Sequence, residues 1–181
     1  MRINNYIEGS CVNGPGFRFC IWLQGCERGC PGCFNKEACK MQGGQEMDIS
    51  EIFRIINRKK YDGISVSGGE PFYQKNDLEL LLKTAKEQKL NTLVFTGFLY
   101  EELLKDCSSI LRYCDYLIDG PYIRELPSHC KYAGSGNQRY LKLRDGLIES
   151  DLTFSTEDSS ECEIIINPDG IVTTTGFFDI L

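Results

Sequence analysis

Apolar and polar residues alternate along this chain with two different periods, and the changes of period mark its elements. Arg18 to Gln24 (RFCIWLQ) is a short apolar, aromatic-rich run that predicts a strand. Ile49, Ile52, Phe53 and Ile56 keep the i, i+3, i+4, i+7 spacing of one helix face and predict a helix over 48–59, with Asp48 and Glu51 as a capping pair. Gly63 to Ser67 (GISVS) reads as a buried strand that ends in Gly68-Gly69-Glu70-Pro71. A second helix, over 77–89, carries Leu78, Leu81, Leu82 and Ala85 on one face. Thr92 to Phe95 is the next strand and stops at Thr96-Gly97. Residues 100–111 read as a helix broken near Ser108-Ser109. Tyr116 to Ile118 is a further short strand, followed by Asp119-Gly120-Pro121.

Strands alternating with helices of this length imply right-handed βαβ units and a parallel sheet. The predicted fold class is therefore α/β. A full eight-unit barrel takes about 200 residues or more. The chain has 181 and shows no linker that would divide it, so one domain over 1–181, an incomplete TIM-type βα barrel with parallel strands, is expected. In such folds the C-terminal strand ends carry the chemistry. That places a cysteine loop after residue 24, Gly-Gly-Glu-Pro, Thr-Gly-Phe and Asp-Gly-Pro on one rim. The tail differs: residues 149–163 are acidic and Ser-rich and read as a solvated loop, and Glu163 to Asn167 with Ile171 to Thr175 as a C-terminal β-hairpin.

Composition narrows the function. Hydrophobic residues make up 41% and charged residues 25%, which excludes a disordered chain, a collagen-like repeat and a coiled coil. No apolar run approaches the roughly 20 residues of a membrane span. The net charge of −6 disfavours a nucleic-acid partner, which calls for phosphate-neutralising cations. The first residues, Met1-Arg2-Ile3-Asn4-Asn5-Tyr6, lack the apolar stretch of a secretory signal, so a cytoplasmic location is expected. One count is abnormal: ten cysteines beside a single histidine, His129, which reads as an ordinary loop residue. In a reducing compartment thiols more often serve metals than disulfides.

Seven cysteines (Cys11, Cys20, Cys39, Cys107, Cys114, Cys130, Cys162) are scattered and read as small buried hydrophobes, and Trp22 likewise reads as core. Cys26, Cys30 and Cys33 fall within one short segment, Gly25-Cys-Glu-Arg-Gly-Cys-Pro-Gly-Cys-Phe34. A structural zinc site wants four ligands, and Cys39 or Cys20 would have to supply the fourth. As an iron–sulfur site, three thiolates hold three irons of a [4Fe–4S] cube and leave one iron open to bind a reactant. Gly25, Gly29 and Gly32 let the backbone wrap closely around such a group.

With Phe34 directly after the last cysteine, this segment resembles the signature of the radical S-adenosylmethionine (SAM) superfamily. The chain looks most like the anaerobic ribonucleoside-triphosphate reductase activating proteins. The matching stretches are Glu8-Gly9-Ser10, Gly14-Pro15-Gly16, Gln24 to Asn35, Ser67 to Pro71, Phe95 to Phe98, Leu117 to Tyr122, Gly134-Ser-Gly-Asn-Gln-Arg139 and Thr175-Gly176-Phe177. It departs from the family at Gly136, where a small polar residue is common, and at Phe95, where a tryptophan is.

The resemblance implies a [4Fe–4S] cluster held by Cys26, Cys30 and Cys33, and SAM cleaved reductively to a 5′-deoxyadenosyl radical. It implies SAM contacts from Phe34 and from Gly68, Gly69 and Glu70, which would receive the SAM amino group. Thr96 and Asp119 would shape the pocket or hold a monovalent cation, and Asn137 and Arg139 would contact SAM or a partner. The implied activity is hydrogen abstraction from a glycine of an anaerobic ribonucleoside-triphosphate reductase, with flavodoxin or ferredoxin as electron donor. Alternatives are a radical SAM enzyme acting on a ribosomal peptide or deazapurine precursor, and a non-catalytic metal-binding or electron-transfer module.

Overall fold

The computed structural model describes residues 1–128, 130–155, 161–166, 170 and 172–177. His129 therefore lies outside the described residues, as do residues 156–160 of the acidic stretch and the predicted turn of the hairpin at 167–169.

Ten strands and five α-helices follow in the order β1 (Arg2–Ser10), β2 (Arg18–Leu23), α1 (Lys36–Cys39), β3 (Gln45–Glu46), α2 (Ile49–Ile56), β4 (Gly63–Gly68), α3 (Lys75–Glu87), β5 (Asn91–Phe95), α4 (Tyr100–Asp106), α5 (Ser108–Leu111), β6 (Tyr116–Asp119), β7 (Arg139–Arg144), β8 (Leu147–Asp151), β9 (Cys162–Ile166) and β10 (Val172–Gly176). A 3₁₀ turn, Pro71–Gln74, leads into α3. An eight-stranded sheet has the order β3-β1-β2-β4-β5-β6-β7-β8. Its centre, β2-β4-β5-β6, is parallel, and antiparallel strands flank it on both sides. Strands β9 and β10 form a separate antiparallel hairpin. No described helix is long and apolar enough to cross a membrane.

The helical periodicity predicted above has a direct structural use. The faces of α2, α3, α4 and α5 bearing Ile52, Ile56, Leu78, Leu81, Leu82, Leu103 and Ile110 pack on Phe19, Ile21, Leu23, Ile64, Val66, Val94 and Leu117 from the parallel strands. The opposite sheet face carries Leu93, Ile118 and Tyr140, covered by Cys130, Tyr132, Ala133 and Phe177. Toward the C-terminal strand ends that second face opens. Trp22, Ser67 and Phe95 are only half-buried there, so Trp22 is less a core residue than its sequence context suggests.

Arg18 closes the other end. Its buried guanidinium donates to Ser65 Oγ at 2.7 Å, to Pro15 O at 2.8 Å, to Ile64 O at 2.5 Å and to the Asn91 side chain, tying together the starts of β2, β4 and β5.

Several expectations shift. The helix predicted over 48–59 spans Ile49–Ile56, and the Asp48 side chain caps nothing; its carbonyl instead accepts from Glu51 and Ile52 N–H. The helix over 100–111 breaks at Cys107 into α4 and α5. Its start is fixed by the Glu102 carboxylate accepting Leu99 N–H at 2.7 Å. Glu149 to Asp151, assigned to a loop, belong to β8, paired along β7. Polar edge strands such as β1, β3 and β8 escape the hydrophobic pattern because one face looks at solvent and backbone pairing alone defines them.

The core sets a stability test. Leu81 is fully buried between α3 and the sheet. Leu81→Ala is expected to cost about 2–5 kcal/mol through lost transfer energy and a residual cavity. Urea unfolding should show a lowered midpoint with unchanged slope.

Candidate iron–sulfur and cofactor site

Strand β2 runs directly into the cysteine loop, and the backbone decides where that loop lies. Gly69 N–H donates to Leu23 O at 2.8 Å and Glu70 N–H to Gly25 O at 2.9 Å, so the end of β4 grips the start of the loop. On the other side Gly25 N–H donates to Ala38 O at 2.7 Å and Cys26 N–H to Cys39 O at 3.1 Å, which brings α1 back alongside. Gln24 locks this return, with Nε2 reaching Glu37 O at 2.9 Å and Lys40 O at 2.6 Å. Between these anchors the loop has no regular structure, and Gly25, Gly29 and Gly32 take φ values of 102°, 63° and 73°.

This packing explains the double glycine in steric terms. A Cβ on Gly68 would sit 2.2 Å from Leu23 N, and one on Gly69 2.3 Å from Gly25 O. Both collisions are with backbone, so no rotamer change relieves them.

The three sequence-predicted thiols stand together. All are free and half-buried. Burial pushes the Cys26 thiol up, a backbone bond from Arg28 opposes this, and negative charge on Glu70, Cys30 and Cys33 adds to it. Cys39 joins them, contrary to its reading as a scattered core residue. Its Sγ lies 3.7 Å from Cys33 Sγ, and its thiol is pushed up to about 12 by burial and then by Cys33 and Cys26. The fold-back of α1 places it there, in the neighbourhood where the sequence offered Cys39 or Cys20 as a fourth ligand. Of the other six, Cys20, Cys107, Cys114 and Cys130 are buried as expected, while Cys11 and Cys162 are exposed.

A free three-thiol set on a glycine-rich loop suits a four-iron cube, whose ligands stand around a body wider than one ion. Among the described residues no three metal-binding side chains converge as a single ion would require.

The remaining predicted residues divide into two groups. Glu70, only 1% exposed, accepts from Phe72 N–H at 3.1 Å, Thr96 Oγ1–H at 2.8 Å and Gly97 N–H at 2.9 Å. Its carboxyl is pushed up by burial, opposed by those donors and by Arg28. The Glu70–Thr96 pair thus clamps the ends of β4 and β5 directly beside the thiols. In the second group Asp119, fully buried, pairs through both oxygens with Arg139 and accepts Tyr100 N–H at 2.7 Å. Arg139 also forks onto Glu101 at 2.9 and 2.8 Å. Asp119 thus joins Arg139 to the start of α4.

Asn137 donates to Pro121 O at 2.7 Å. Gln138 donates to Gly120 O and accepts Gly134 N–H, both at 2.9 Å. The Asn-Gln-Arg string thereby staples its loop to the end of β6 instead of presenting its polar groups outward. Phe34, 64% exposed, meets Tyr122 edge-on at 5.3 Å and would be 3.4 Å from a Cβ on Gly134. It links the cysteine loop to this second group.

Arg28, inside the cysteine loop, carries no sequence signal. Its guanidinium lies 4.5 Å over the Phe98 ring, and its buried Nε has no acceptor among the described residues. It packs so tightly on Gly97 that a Cβ there would fall 2.3 Å from Nε.

An α/β sheet with an incomplete thiolate set at its C-terminal strand ends defines a class: iron–sulfur proteins whose cluster keeps one iron open. Comparison with known proteins specifies it further. A family model described as a 4Fe-4S single cluster domain matches residues 12–141. The anaerobic ribonucleoside-triphosphate reductase-activating protein of Enterobacteria phage T4 is 30% identical over 147 residues, covering 77% of this chain and 93% of its own length. Its counterpart from Escherichia coli K12 is 32% identical over 155 residues, covering 80% and 100%. A pyruvate formate-lyase-activating enzyme from Clostridium pasteurianum is 33% identical over 131 residues, covering 67% and 55%. The chain belongs to the single-cluster 4Fe-4S family and, within it, to the anaerobic ribonucleoside-triphosphate reductase-activating proteins.

Two substitutions test the geometry. Gly69→Ala is expected to displace the cysteine loop, destabilise the fold by about 1–3 kcal/mol and reduce iron bound after anaerobic reconstitution; wild-type iron content would refute the close-approach argument. Arg139→Ala leaves the buried Asp119 carboxylate without its cation and is expected to cost about 3–5 kcal/mol in chemical denaturation.

Proposed function

We propose that this chain is a radical SAM activase that installs a glycyl radical on an anaerobic ribonucleoside-triphosphate reductase. The observation that carries the reading is the backbone grip between the Gly-Gly-Glu strand end and the three-cysteine loop, since it sets a ligand-binding edge against an incomplete thiolate set. Cys26, Cys30 and Cys33 hold the [4Fe–4S] cluster. When bound, the cluster would supply an open iron and the electron for reductive cleavage of SAM, the chemistry needed to take a hydrogen atom from the target glycine.

The chain's own residues do the rest. Gly68 and Gly69, without a Cβ, allow the methionyl amino group to approach the backbone carbonyls at the end of β4. Glu70 fixes that edge through Thr96 and Gly97 and places negative charge beneath the amine. Arg28, whose Nε donates to no acceptor among the described residues, would receive the methionyl carboxylate. Phe34 offers a half-open aromatic surface for the adenine.

We read the sheet as a partial barrel whose half-buried face at Trp22 and Ser67, beside the Phe95–Phe177 stack, admits a loop of the partner. The electron comes from a flavodoxin or ferredoxin, and the chain works in the cytoplasm.

The test is anaerobic reconstitution followed by incubation with SAM, a reductant and the cognate reductase. The expected outcome is 5′-deoxyadenosine release and a glycyl-radical doublet in the electron paramagnetic resonance spectrum of the reductase. Cys30→Ser should abolish both, and Cys162→Ser neither. Release of 5′-deoxyadenosine with no glycyl signal would overturn the substrate and point to a peptide or deazapurine precursor.

A further inference from the structure

Cys39 stands beside the three-thiol set without belonging to it or to the core. It ends α1 and is held by backbone bonds, Cys39 N–H to Asn35 O at 3.1 Å and Cys26 N–H to Cys39 O at 3.1 Å. Its Sγ faces Cys33 Sγ at 3.7 Å, hydrogen-bonding distance for thiols. Cys33 itself lies in irregular chain directly after Gly32, whose φ of 73° is in the left-handed region. Both residues are half-buried, so small oxidants reach them.

We propose that Cys33 and Cys39 form a reversible disulfide when the cluster is lost to oxidation, protecting a ligand thiol from irreversible damage. The first step is Cys33–SH + H2O2 → Cys33–SOH + H2O. In the second, Cys39 sulfur attacks the sulfenic sulfur, the S–O bond breaks, and the hydroxyl leaves as water with the Cys39 proton, giving Cys33–S–S–Cys39. The cysteines are oxidised by two electrons in all and one peroxide is reduced. A cellular dithiol returns both thiols by exchange.

Closing the gap from 3.7 Å to the about 2 Å of a disulfide falls to the Cys33 side, since backbone bonds hold Cys39 at both its N–H and its carbonyl. Proximity favours this route over a second peroxide, because a thiol already in contact reacts as an intramolecular partner. Without Cys39, Cys33 sulfenic acid would advance to sulfinic and sulfonic acid, which cellular dithiols do not reverse.

The disulfide chemistry stands on the two thiols alone; its benefit rests on Cys33 being a cluster ligand. The full chain, loaded with iron, is treated with hydrogen peroxide and a chelator, alkylated without reduction and peptide-mapped by mass spectrometry. The expected result is a Cys33–Cys39 cross-linked peptide in the wild type. Both Cys39→Ser and Cys39→Ala should instead carry Cys33 as sulfinate or sulfonate, with folding checked by circular dichroism.

After dithiol reduction and renewed reconstitution, iron recovery is expected to be several-fold higher in the wild type than in either variant. Equal over-oxidation of Cys33 in all three proteins, or a dominant Cys26–Cys39 or Cys30–Cys33 link, would overturn the proposal. If the cross-link forms but no protein ever takes up iron, the cluster reading fails while the disulfide stands.

Discussion

The Glu70 residue holds the functional rim together. Its N–H donates to Gly25 O at the start of the cysteine loop, and its carboxylate accepts three donors from the 3₁₀ turn and from the end of β5. A carboxylate buried to 1% exposure is costly unless its oxygens are satisfied, and here the donors come from two separate segments of the rim. Releasing it would free the end of β4 from β5 and loosen the grip on the loop that carries the thiols. The residue that sequence analysis assigns to SAM is thus also the joint on which the thiol positions depend.

The same dual use recurs at the second strand end. Asp119, Arg139 and Glu101 form a charged chain from buried to exposed, and Asn137 and Gln138 close the 120–138 loop on Gly120 and Pro121. These side chains have nearly all their hydrogen-bonding capacity engaged inside the protein. They stiffen the 120–138 loop, with Phe34 resting against it through Tyr122. Arg28 is the contrasting case, a cation at the rim with a donor left over.

Much of the fold was legible because burial imposes a period. Leu78, Leu81, Leu82 and Ala85 recur at helical spacing since one face of α3 must meet the sheet, and β4 and β5 read as continuous apolar runs because helices cover them. Strands β1, β3 and β8 were not legible, since an edge strand with a wet face follows backbone pairing more than side-chain pattern. The three-cysteine spacing identified the thiol set because ligands this close in sequence are close in space whatever the fold.

The sequence by itself determined the chemistry: three thiolates on a glycine loop, a Gly-Gly-Glu edge and an α/β scaffold that puts strand ends on one rim. The tertiary structure alone decided the partnerships. It paired Asp119 with Arg139 across 20 residues of chain, turned the Asn-Gln string inward, laid Arg28 over Phe98 and brought Cys39 to within 3.7 Å of Cys33. Such contacts depend on where α1 and the 120–138 loop fold back. Long-range backbone hydrogen bonds and close glycine packing set that path, and neither leaves a periodic mark on the chain.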